Sequence, residues 1–276
     1  MELTRRSVLA AAAIPVAGVP AAGDPIAALE ANSGGRLGVA ALDTASGRLL
    51  SHRAGERFLL CSTFKFLLSA ALLKRIDTGD EKPNRVIAYD KTDLVTTSPV
   101  AERHVGAMNV GALIEAVLQV SDNTAANLLL KAIGGPAGWT AFARSIGDST
   151  SRLDRFEPGL NVASGECDTT TPAAMLGDLK AVLTGAVLSE KSRAWLEDRM
   201  AASATGAKRL RAGLPASWRV ADKTGSGPAA RNDIAMLRPP GRPAILACVY
   251  TADVTLADAA WDGLIAEVGG LIAEWA

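Results

Sequence analysis

Strand-like segments lie at both ends of this chain and helical patterns fill its middle, and this arrangement limits the fold more than any other feature. Strands are predicted at 36–42, 48–53, 218–223, 232–237 and 244–251. Helices are predicted at 24–31, from Thr63 onward, and at 110–120, 124–133, 139–146, 171–184, 190–201 and 256–275, where apolar residues recur at helical spacing. The segments 224–231 and 238–243, which contain glycine and proline, are predicted to be turns.

The most economical architecture joins the strands from both ends in one sheet. It is an α/β fold of the α+β sandwich type, in which an antiparallel sheet built from both termini is flanked by helices and an all-helical domain is inserted. We therefore predict one domain formed by 24–58 and 207–276 and a helical domain formed by 59–206. The cleft between two such parts is where a ligand site is expected.

The first 23 residues have the layout of an export signal. Arg5 and Arg6 precede an alanine-rich apolar run, and small residues follow it around Gly23. The run is short and is interrupted by Pro15 and Pro20, so it does not suit a membrane span. We predict twin-arginine export, cleavage near Gly23, and a periplasmic or secreted mature protein without a membrane anchor.

Composition argues against several classes of function. Lys and Arg total 29 and Asp and Glu total 29, so the chain lacks the basic excess typical of nucleic-acid binders. It contains 2 histidines, too few to favour a hydrolytic zinc site. No metal, other cofactor or nucleic-acid partner is expected, and a monomer is expected. The cysteines Cys61, Cys167 and Cys248 are too far apart for their pairing to be predicted from spacing.

Ser62 and Lys65 lie at the start of the first long helix predicted in the middle of the chain. Positions i and i+3 share a helix face, so the Lys65 amine can lie beside the Ser62 hydroxyl. A hydroxyl becomes a good nucleophile when a neighbouring group takes its proton, and a lysine close to other cations has a lowered pKa that suits this task. The spacing indicates nucleophilic catalysis, although a Ser/Lys pair of this kind also occurs by chance.

Three further segments carry polar groups that could serve such chemistry. Ser121–Asn123 offers a hydroxyl to relay a proton and an amide to hold a carbonyl, or it is only a helix N-cap. Lys223–Gly225 offers a cation, a hydroxyl and an open strand edge, or it is only a strand-to-turn exit. Glu157 and Asn161 could hold one water molecule between them, or Glu157 is an exposed turn residue.

In this order and spacing, the Ser/Lys, Ser-Asp-Asn and Lys-Thr-Gly motifs resemble those of class A serine β-lactamases. Longer and more specific strings carry the resemblance over essentially the whole chain after the signal. They are Val120–Leu130, Ile133–Pro136, Arg152–Pro158 and Asp168–Pro172. The resemblance implies hydrolysis of small β-lactam antibiotics, penicillins and also cephalosporins, and hence antibiotic resistance.

The resemblance also implies a role for each motif residue. Ser62 would be the nucleophile that becomes acylated, Lys65 would assist proton transfer, and Ser121 would pass a proton to the lactam nitrogen. Glu157 and Asn161 would hold the water that hydrolyses the acyl-enzyme. Whether Lys65 or Glu157 is the acylation base is disputed for the family.

The other implied roles concern binding and loop closure. Asn123 would contact the side-chain amide of the substrate, and the backbone N–H groups of Ser62 and Ser226 would form the oxyanion hole. The strand edge that binds the substrate and its carboxylate would comprise Lys223, Thr224, Gly225, Ser226 and Arg231. An ion pair between Arg155 and Asp168 would close the loop that carries Glu157.

The chain departs from the common family pattern at several places. The loop 161–168 and the segment 228–231 are shorter than usual, and Thr97 stands where an aromatic residue often flanks the site. Some members have a disulfide beside the nucleophile, but the position opposite Cys61 is occupied by Gly227, so no bridge is expected. This departure argues against carbapenem hydrolysis, whereas Thr224 and Ser226 resemble cephalosporin-hydrolysing members.

Two alternative functions compete with β-lactam hydrolysis. A penicillin-binding D,D-peptidase would act on peptidoglycan stem peptides, and a covalent β-lactam sensor would be acylated and stop there. Both generally lack a deacylation pair in this loop, so Glu157 with Asn161 favours the hydrolase.

Overall fold

A sheet built from both ends of the chain organises the computed structural model, which describes residues 24–276. The predicted export signal, residues 1–23, lies outside the described residues. The helices are α1 (Pro25–Ser33), α2 (Phe64–Thr78), α3 (Val110–Gln119), α4 (Asn123–Ala132), α5 (Gly135–Ser145), α6 (Pro172–Leu183), α7 (Glu190–Ala201), α8 (Leu210–Gly213) and α9 (Asp258–Trp275). The strands are β1 (Arg36–Asp43), β2 (Leu49–His52), β3 (Phe58–Leu59), β4 (Val86–Tyr89), β5 (Gly106–Asn109), β6 (Thr169–Thr170), β7 (Arg219–Gly227), β8 (Ala230–Arg238) and β9 (Ile245–Ala252).

The main sheet has the strand order β2-β1-β9-β8-β7, and all of its neighbouring strands are antiparallel. The N-terminal strand β1 pairs along its whole length with the C-terminal strand β9, from Arg36 opposite Ala252 to Asp43 opposite Ile245. The predicted antiparallel sheet from both termini is therefore confirmed. The division into two domains stays a prediction.

Both faces of the sheet are buried, in two different apolar clusters. Alternate side chains of a strand point to opposite faces. Leu37 and Val39 of β1 accordingly pack with the α9 side chains Ile265 and Val268, whereas Ala40 joins the larger cluster formed with the helices of the middle of the chain. Each large apolar side chain buried in this way contributes about 1.5–3 kcal/mol to folding.

Helix α2 lies inside the larger cluster, and every residue from Phe64 to Leu73 is buried. The helix ends at Thr78 and is capped by Gly79, whose φ of 82° is the left-handed conformation that glycine adopts easily at a helix C-terminus. Trp139 of α5 is fully buried, and its indole N–H donates to the Phe64 carbonyl oxygen at 2.9 Å. The packing therefore fixes the first turn of α2, directly after Ser62.

The predicted turn at 224–231 is wrong in its extent. Strand β7 continues to Gly227 and β8 begins at Ala230, so only two residues remain for the turn. The glycine that suggested a turn serves close approach instead, because a Cβ atom on Gly225 would lie 2.9 Å from the Leu60 carbonyl oxygen and 3.2 Å from the Ser62 nitrogen. Other predicted elements are confirmed with shifts of up to four residues at their ends, the largest at the start of α5, and the turn at 238–243 lies between β8 and β9 as predicted.

Two short strand pairs were not predicted. Strand β3 pairs with β6 and strand β4 pairs with β5, both antiparallel. These strands have two to four residues each, too few for a readable alternation. In the part of the chain that the structure describes, no helix has the length and apolar character needed to cross a membrane.

Candidate active site

The start of α2 places the Ser62 and Lys65 side chains together. A single 3-10 turn over Cys61–Thr63 precedes the α-helix, so the helix begins slightly later than Ser62, but the i to i+3 spacing still aligns the two side chains. Lys65 Nζ lies 3.0 Å from Ser62 Oγ. The close approach of β7 to the Ser62 nitrogen at Gly225 brings the strand backbone beside this serine.

Lys65 is fully buried and lies at the centre of the polar contacts. Its ammonium group donates to the Ser121 carbonyl oxygen at 2.7 Å and to Asn123 Oδ1 at 2.5 Å, and it lies 3.0 Å from Glu157 Oε1. Burial lowers the pKa of Lys65, while the charge of the nearby Glu157 carboxylate acts in the opposite direction. The lysine can therefore exchange a proton with its neighbours more easily than an exposed lysine can.

Glu157 faces the same serine from the other side. Ser62 Oγ donates to Glu157 Oε1 at 3.3 Å, and Asn161 Nδ2 donates to Glu157 Oε2 at 2.5 Å. Asn161 Oδ1 is buried and has no hydrogen-bond partner within the described chain, so it can accept a hydrogen bond from a water molecule held between the two side chains. With Glu157 only 3% exposed, the reading of this residue as an exposed turn glutamate is wrong.

Asn127 of α4 holds the backbone of Glu157, a role that the sequence analysis missed. Its Nδ2 donates to the Glu157 carbonyl oxygen at 3.0 Å, and its Oδ1 accepts from the Glu157 N–H at 2.9 Å. Both groups of one side-chain amide thus bind the backbone N–H and carbonyl of one residue, which fixes the position of the loop against α4. Asn127 lies within Val120–Leu130, one of the segments that resemble class A β-lactamases. An asparagine on a helix does not by itself indicate a contact with a loop 30 residues away.

Ser121 lies between two lysines. Its hydroxyl accepts from Lys65 Nζ at 3.2 Å and from Lys223 Nζ at 3.0 Å. Lys223 also donates to the Thr224 carbonyl oxygen at 2.9 Å. Burial, followed by the positive charge of Lys65, lowers the pKa of Lys223 to about 7. A hydroxyl whose lone pairs accept from two ammonium groups keeps its own proton for a third partner.

Asp122 is the N-cap of α4, so the capping interpretation is correct for one residue of the motif and not for its neighbours. Its Oδ1 accepts from the Ala125 N–H at 2.8 Å, and its Oδ2 accepts from the Val100 and Ala101 N–H groups, both at 2.9 Å. Asn123 Nδ2 donates to the Thr96 carbonyl oxygen at 2.9 Å. The cap therefore orients Ser121 and Asn123 towards Lys65.

Strand β7 forms the edge of the site beyond Lys223. Thr224 Oγ1 and Thr205 Oγ1 are 2.6 Å apart. Arg209 donates through Nη2 to Ser226 Oγ at 2.6 Å and through Nη1 to the Gly225 carbonyl oxygen at 2.8 Å. Nothing in the sequence around Arg209 had distinguished it from other arginines.

Arg231 does not point to this edge in the structure, although a contact with the substrate carboxylate was expected. Its guanidinium group forms ion pairs with Asp258 at 2.7 Å and with Asp262 at 3.0 Å, both on α9, and lies 5.2 Å from the centre of the Trp261 ring. The physical reason is that the first turns of α9 place two carboxylates beside the start of β8, where Arg231 lies. Arg209 is thus the guanidinium group that contacts Ser226.

The loop that carries Glu157 is closed by an ion pair. Arg155 Nε lies 2.6 Å from Asp168 Oδ2, and Asp168 Oδ1 accepts from the Asp154 and Arg155 N–H groups at 2.7 and 3.0 Å. Arg155 Nη2 also donates to the Val162 carbonyl oxygen at 2.6 Å. The loop is therefore held shut at both ends of the shortened segment.

The remaining departures from the common pattern lie around this geometry. Thr97 is exposed, and its carbonyl oxygen accepts from the Asn123 N–H at 3.0 Å. The three cysteines are free, and a Cβ atom on Gly227 would lie 3.1 Å from Cys61 Sγ. Burial raises the pKa of the Cys61 thiol to about 12, so this thiol stays protonated at neutral pH.

Comparison with known proteins shows one family. The model of the family described as "Beta-lactamase enzyme family" matches residues 22–276. Beta-lactamase AST-1 of Nocardia asteroides is 50% identical over 237 residues, 84% of this chain and 76% of that protein. Beta-lactamase CTX-M-8 of Citrobacter amalonaticus is 46% identical over 246 residues, 87% of this chain and 84% of that protein. The solved structure of an ancestral (GNCA) class A β-lactamase matches with a TM-score of 0.90 and 56% identity, covering 91% of this chain and 98% of that one.

Proposed function

The chain belongs to the β-lactamase enzyme family as a class A member that hydrolyses β-lactam antibiotics and gives resistance to them, and we propose that it does so through an acyl-enzyme at Ser62. The observation that carries this mechanism is that Lys65 Nζ lies 3.0 Å and Glu157 Oε1 3.3 Å from Ser62 Oγ. We propose penicillins and cephalosporins as substrates. The hydroxyl groups of Thr224 and Ser226 on the β7 edge support the cephalosporins.

Acylation begins when Ser62 Oγ attacks the lactam carbonyl carbon, so that an O–C bond forms and the ring C–N bond breaks. The proton of Ser62 passes to Glu157 directly, or to Lys65 when that amine is neutral. Both routes agree with the distances, because Ser62 Oγ donates towards Glu157 and accepts from Lys65. Ser121 gives its proton to the departing lactam nitrogen, and Lys223 or Lys65 replaces it through their contacts with Ser121 Oγ.

The β7 edge stabilises the charges of the substrate. The N–H groups of Ser62 and Ser226 form the oxyanion hole, which the close approach of Gly225 to Ser62 supports. The carboxylate beside the lactam ring binds to Thr224, Ser226 and the positive charges of Lys223 and of an arginine. Arg209, rather than Arg231, has its guanidinium group on Ser226 Oγ and is the arginine we propose for this contact.

Deacylation uses Glu157 and Asn161. They hold a water molecule between Glu157 Oε2 and the unpartnered Asn161 Oδ1. Glu157 takes a proton from this water as it attacks the ester carbon, and the C–O bond to Ser62 breaks. Ser62 Oγ recovers a proton from Lys65, which in turn takes the proton held by Glu157. The Arg155–Asp168 ion pair keeps the loop, and with it Glu157, in place for this step. Asn123 holds the side-chain amide of the substrate through its remaining N–H.

Turnover combined with intact-mass analysis tests this mechanism. We expect a chromogenic cephalosporin and a penicillin to be hydrolysed continuously, and Ser62→Ala to abolish both activities and the adduct. Ser69→Ala is the matched control, because Ser69 lies on the same helix and bonds only to the Lys65 carbonyl oxygen. Stoichiometric acylation of Ser62 without turnover would instead support the D,D-peptidase or the β-lactam sensor.

We further propose that the mature enzyme works outside the cytoplasm as a monomer. The pair Arg5 and Arg6 before the apolar run and the small residues around Gly23 support the export. Replacement of both arginines by lysine should retain active enzyme in the cytoplasm, and fractionation of cells would measure this.

A further inference from the structure

The two N–H groups of the proposed oxyanion hole belong to different parts of the fold. The Ser62 N–H lies in the 3-10 turn before α2, and the Ser226 N–H lies on β7. A donor stabilises the developing oxyanion only when it lies about 2.7–3.1 Å from the position of that oxygen. The rate of the reaction therefore depends on how firmly the turn is held against the sheet.

Asn232 of β8 connects the segment before Ser62 to the sheet. Its Nδ2 donates to the Leu59 carbonyl oxygen at 2.8 Å and to the Leu60 carbonyl oxygen at 3.2 Å, and its Oδ1 accepts from the Thr251 N–H at 3.3 Å. The side chain is fully buried. The reverse orientation of the amide would place its oxygen against two carbonyl oxygens, so the NH₂ group must face this segment. Each amide hydrogen thus holds one carbonyl of the chain that leads into the nucleophile.

The same asparagine lies opposite the strand that carries the second donor. Asn232 and Gly225 are cross-strand partners in the β7–β8 pair, and Gly225 directly precedes Ser226. A Cβ atom on Gly225 would lie 2.9 Å from the Leu60 carbonyl oxygen, so β7 and the turn are in close contact at this point. Asn232 therefore fixes the turn at the position along the sheet where the Ser226 N–H lies.

The segment that Asn232 holds has a strained backbone. Cys61, which lies between Leu60 and Ser62, has a φ of 43°, a conformation that residues other than glycine rarely adopt. The peptide before Cys61 carries the Leu60 carbonyl that Asn232 binds, and the peptide after it carries the Ser62 N–H. Loss of the hydrogen bonds from Asn232 would therefore allow the turn to relax and would move the Ser62 N–H.

We propose that Asn232 is a positioning residue of the oxyanion hole. Its side-chain amide holds the turn that carries the Ser62 N–H against the strand pair that carries the Ser226 N–H. The tetrahedral species of acylation and of deacylation both place an oxyanion in this hole, so Asn232 should affect both steps, whereas Glu157 should affect mainly the second. This inference rests on the proposed function, because it assigns the oxyanion hole to these two N–H groups.

Asn232→Leu tests the proposal, because leucine has nearly the same size and shape as asparagine but donates no hydrogen bond. We would measure the rate constants of acylation and deacylation by rapid mixing with a chromogenic cephalosporin. Misplacement of a catalytic group by about 1 Å costs roughly 10²-fold in rate, so we expect both rate constants to fall by about 10- to 100-fold. A purely structural role would reduce the amount of active enzyme, and so the amplitude of acylation, but not the rate constants of the folded molecules.

The affinity for phenylboronic acid gives a second readout that needs no turnover. Boron bonds to the Ser62 oxygen, whose proton passes to the neighbouring base, and the tetrahedral anion so formed resembles the transition state and places an oxygen in the oxyanion hole. We expect calorimetric titration to show a Kd about tenfold higher in Asn232→Leu than in the wild-type enzyme. Asn232→Ala, which also lacks the donor, replaces Asn232→Leu if the latter does not fold.

Tyr250→Phe is the matched control. Tyr250 is the cross-strand partner of Asn232 on β9 and is also fully buried. Its hydroxyl donates to Thr63 Oγ1, which lies 3.1 Å away and gives its own proton to the Leu60 carbonyl oxygen at 2.6 Å. The variant loses one buried hydrogen bond but keeps every donor to Leu59 and Leu60, so its rate constants and its Kd should remain close to the wild-type values.

An unchanged Kd for phenylboronic acid in a folded variant at position 232 would overturn the proposal, whatever the rate constants show. A fall confined to deacylation would overturn it as well. Failure of the proposed function gives a different result. Hydrolysis and formation of the boronate adduct should both disappear in Ser62→Ala, whatever happens at position 232, and their persistence there would refute the mechanism itself.

Discussion

Replacing Glu157 by glutamine should separate the two halves of the reaction. The substitution keeps the shape of the side chain but removes the group that can take a proton from water. In the structure, Glu157 Oε2 accepts from Asn161 Nδ2 at 2.5 Å, and Oε1 lies 3.0 Å from Lys65 Nζ. An amide at this position cannot serve as a general base towards the water, whereas Lys65 keeps its contact with Ser62.

The expected magnitude follows from the contribution of a well-placed general base. Such a group accelerates proton transfer by about 10²–10⁴-fold, so deacylation should slow by that factor. Acylation should slow less, because burial lowers the pKa of Lys65, which lies 3.0 Å from Ser62 Oγ and can take the proton once it is neutral. Removal of one partner of a buried ion pair ordinarily costs about 3–5 kcal/mol of stability. That cost arises from the buried charge left without its partner, so it is smaller if Lys65 loses its proton and becomes neutral in the variant.

Rapid mixing with benzylpenicillin followed by intact-mass analysis measures both halves. We expect Glu157→Gln to form a stoichiometric and persistent adduct on Ser62. Its steady-state turnover should be reduced by about 10²–10⁴-fold. Glu166→Gln is the matched control, because Glu166 lies on the same loop with its side chain 65% exposed, and it should behave like the wild-type enzyme.

Two results would contradict this reasoning in different ways. Undiminished turnover without an adduct would mean that Glu157 is not the base for deacylation. A folded variant that forms no adduct at all would mean that Lys65 cannot replace Glu157 during acylation.

Three further predictions concern charged groups of the fold. Since the pKa of Lys223 is about 7, kcat/KM for carboxylate-bearing substrates should fall as pH rises above that value, and Lys223→Arg should move the fall to higher pH in a pH–rate profile. Asp168→Asn removes a charge-assisted contact to Arg155 worth about 1.5–3 kcal/mol, so the deacylation rate should fall more than the acylation rate in single-turnover experiments. Burial, and then the charge of Asp148, raises the pKa of Asp178 well above 3.8, so the stability present below about pH 4 is lost as pH rises towards the folded-state pKa. Asp178→Asn, which does not ionise, should raise Tm at pH 7 and leave it unchanged at pH 4.

Long periodic segments could be predicted from the sequence because their burial is decided locally. The side chains of β1 alternate between two apolar clusters, and in α2 the apolar residues Phe64, Leu67, Leu68, Ala71 and Leu72 recur at helical spacing, so both elements could be recognised from their own residues. The β3–β6 pair could not be predicted in this way. Its partners Phe58 and Thr170 are 112 residues apart, and only the packing of the loop against the sheet brings them together.

Gly225 was predicted to lie in a turn, but glycine is favoured at such a position for either of two physical reasons. A glycine after a strand commonly marks a turn, and a glycine within a strand marks close approach of another backbone. The distance from a Cβ at this position to the Leu60 carbonyl oxygen identifies the second cause. The same limit applies to Arg209 and Arg231, because local sequence does not show that both arginines pair with a carboxylate of α9.

The backbone conformation of several residues around this site could not be predicted from the sequence either. Cys61, Thr97, Ser121 and Asp168 all have positive φ angles, between 43° and 64°, which cost about 1–3 kcal/mol each for residues other than glycine. The contacts that impose these conformations are themselves part of the site: the Ser121 carbonyl oxygen accepts from Lys65 Nζ, and Asp168 accepts from the N–H groups at the start of the Glu157 loop. A substitution that relieves the strain would therefore also displace groups that position Lys65 or Glu157, so stability and turnover should change in opposite directions at these positions.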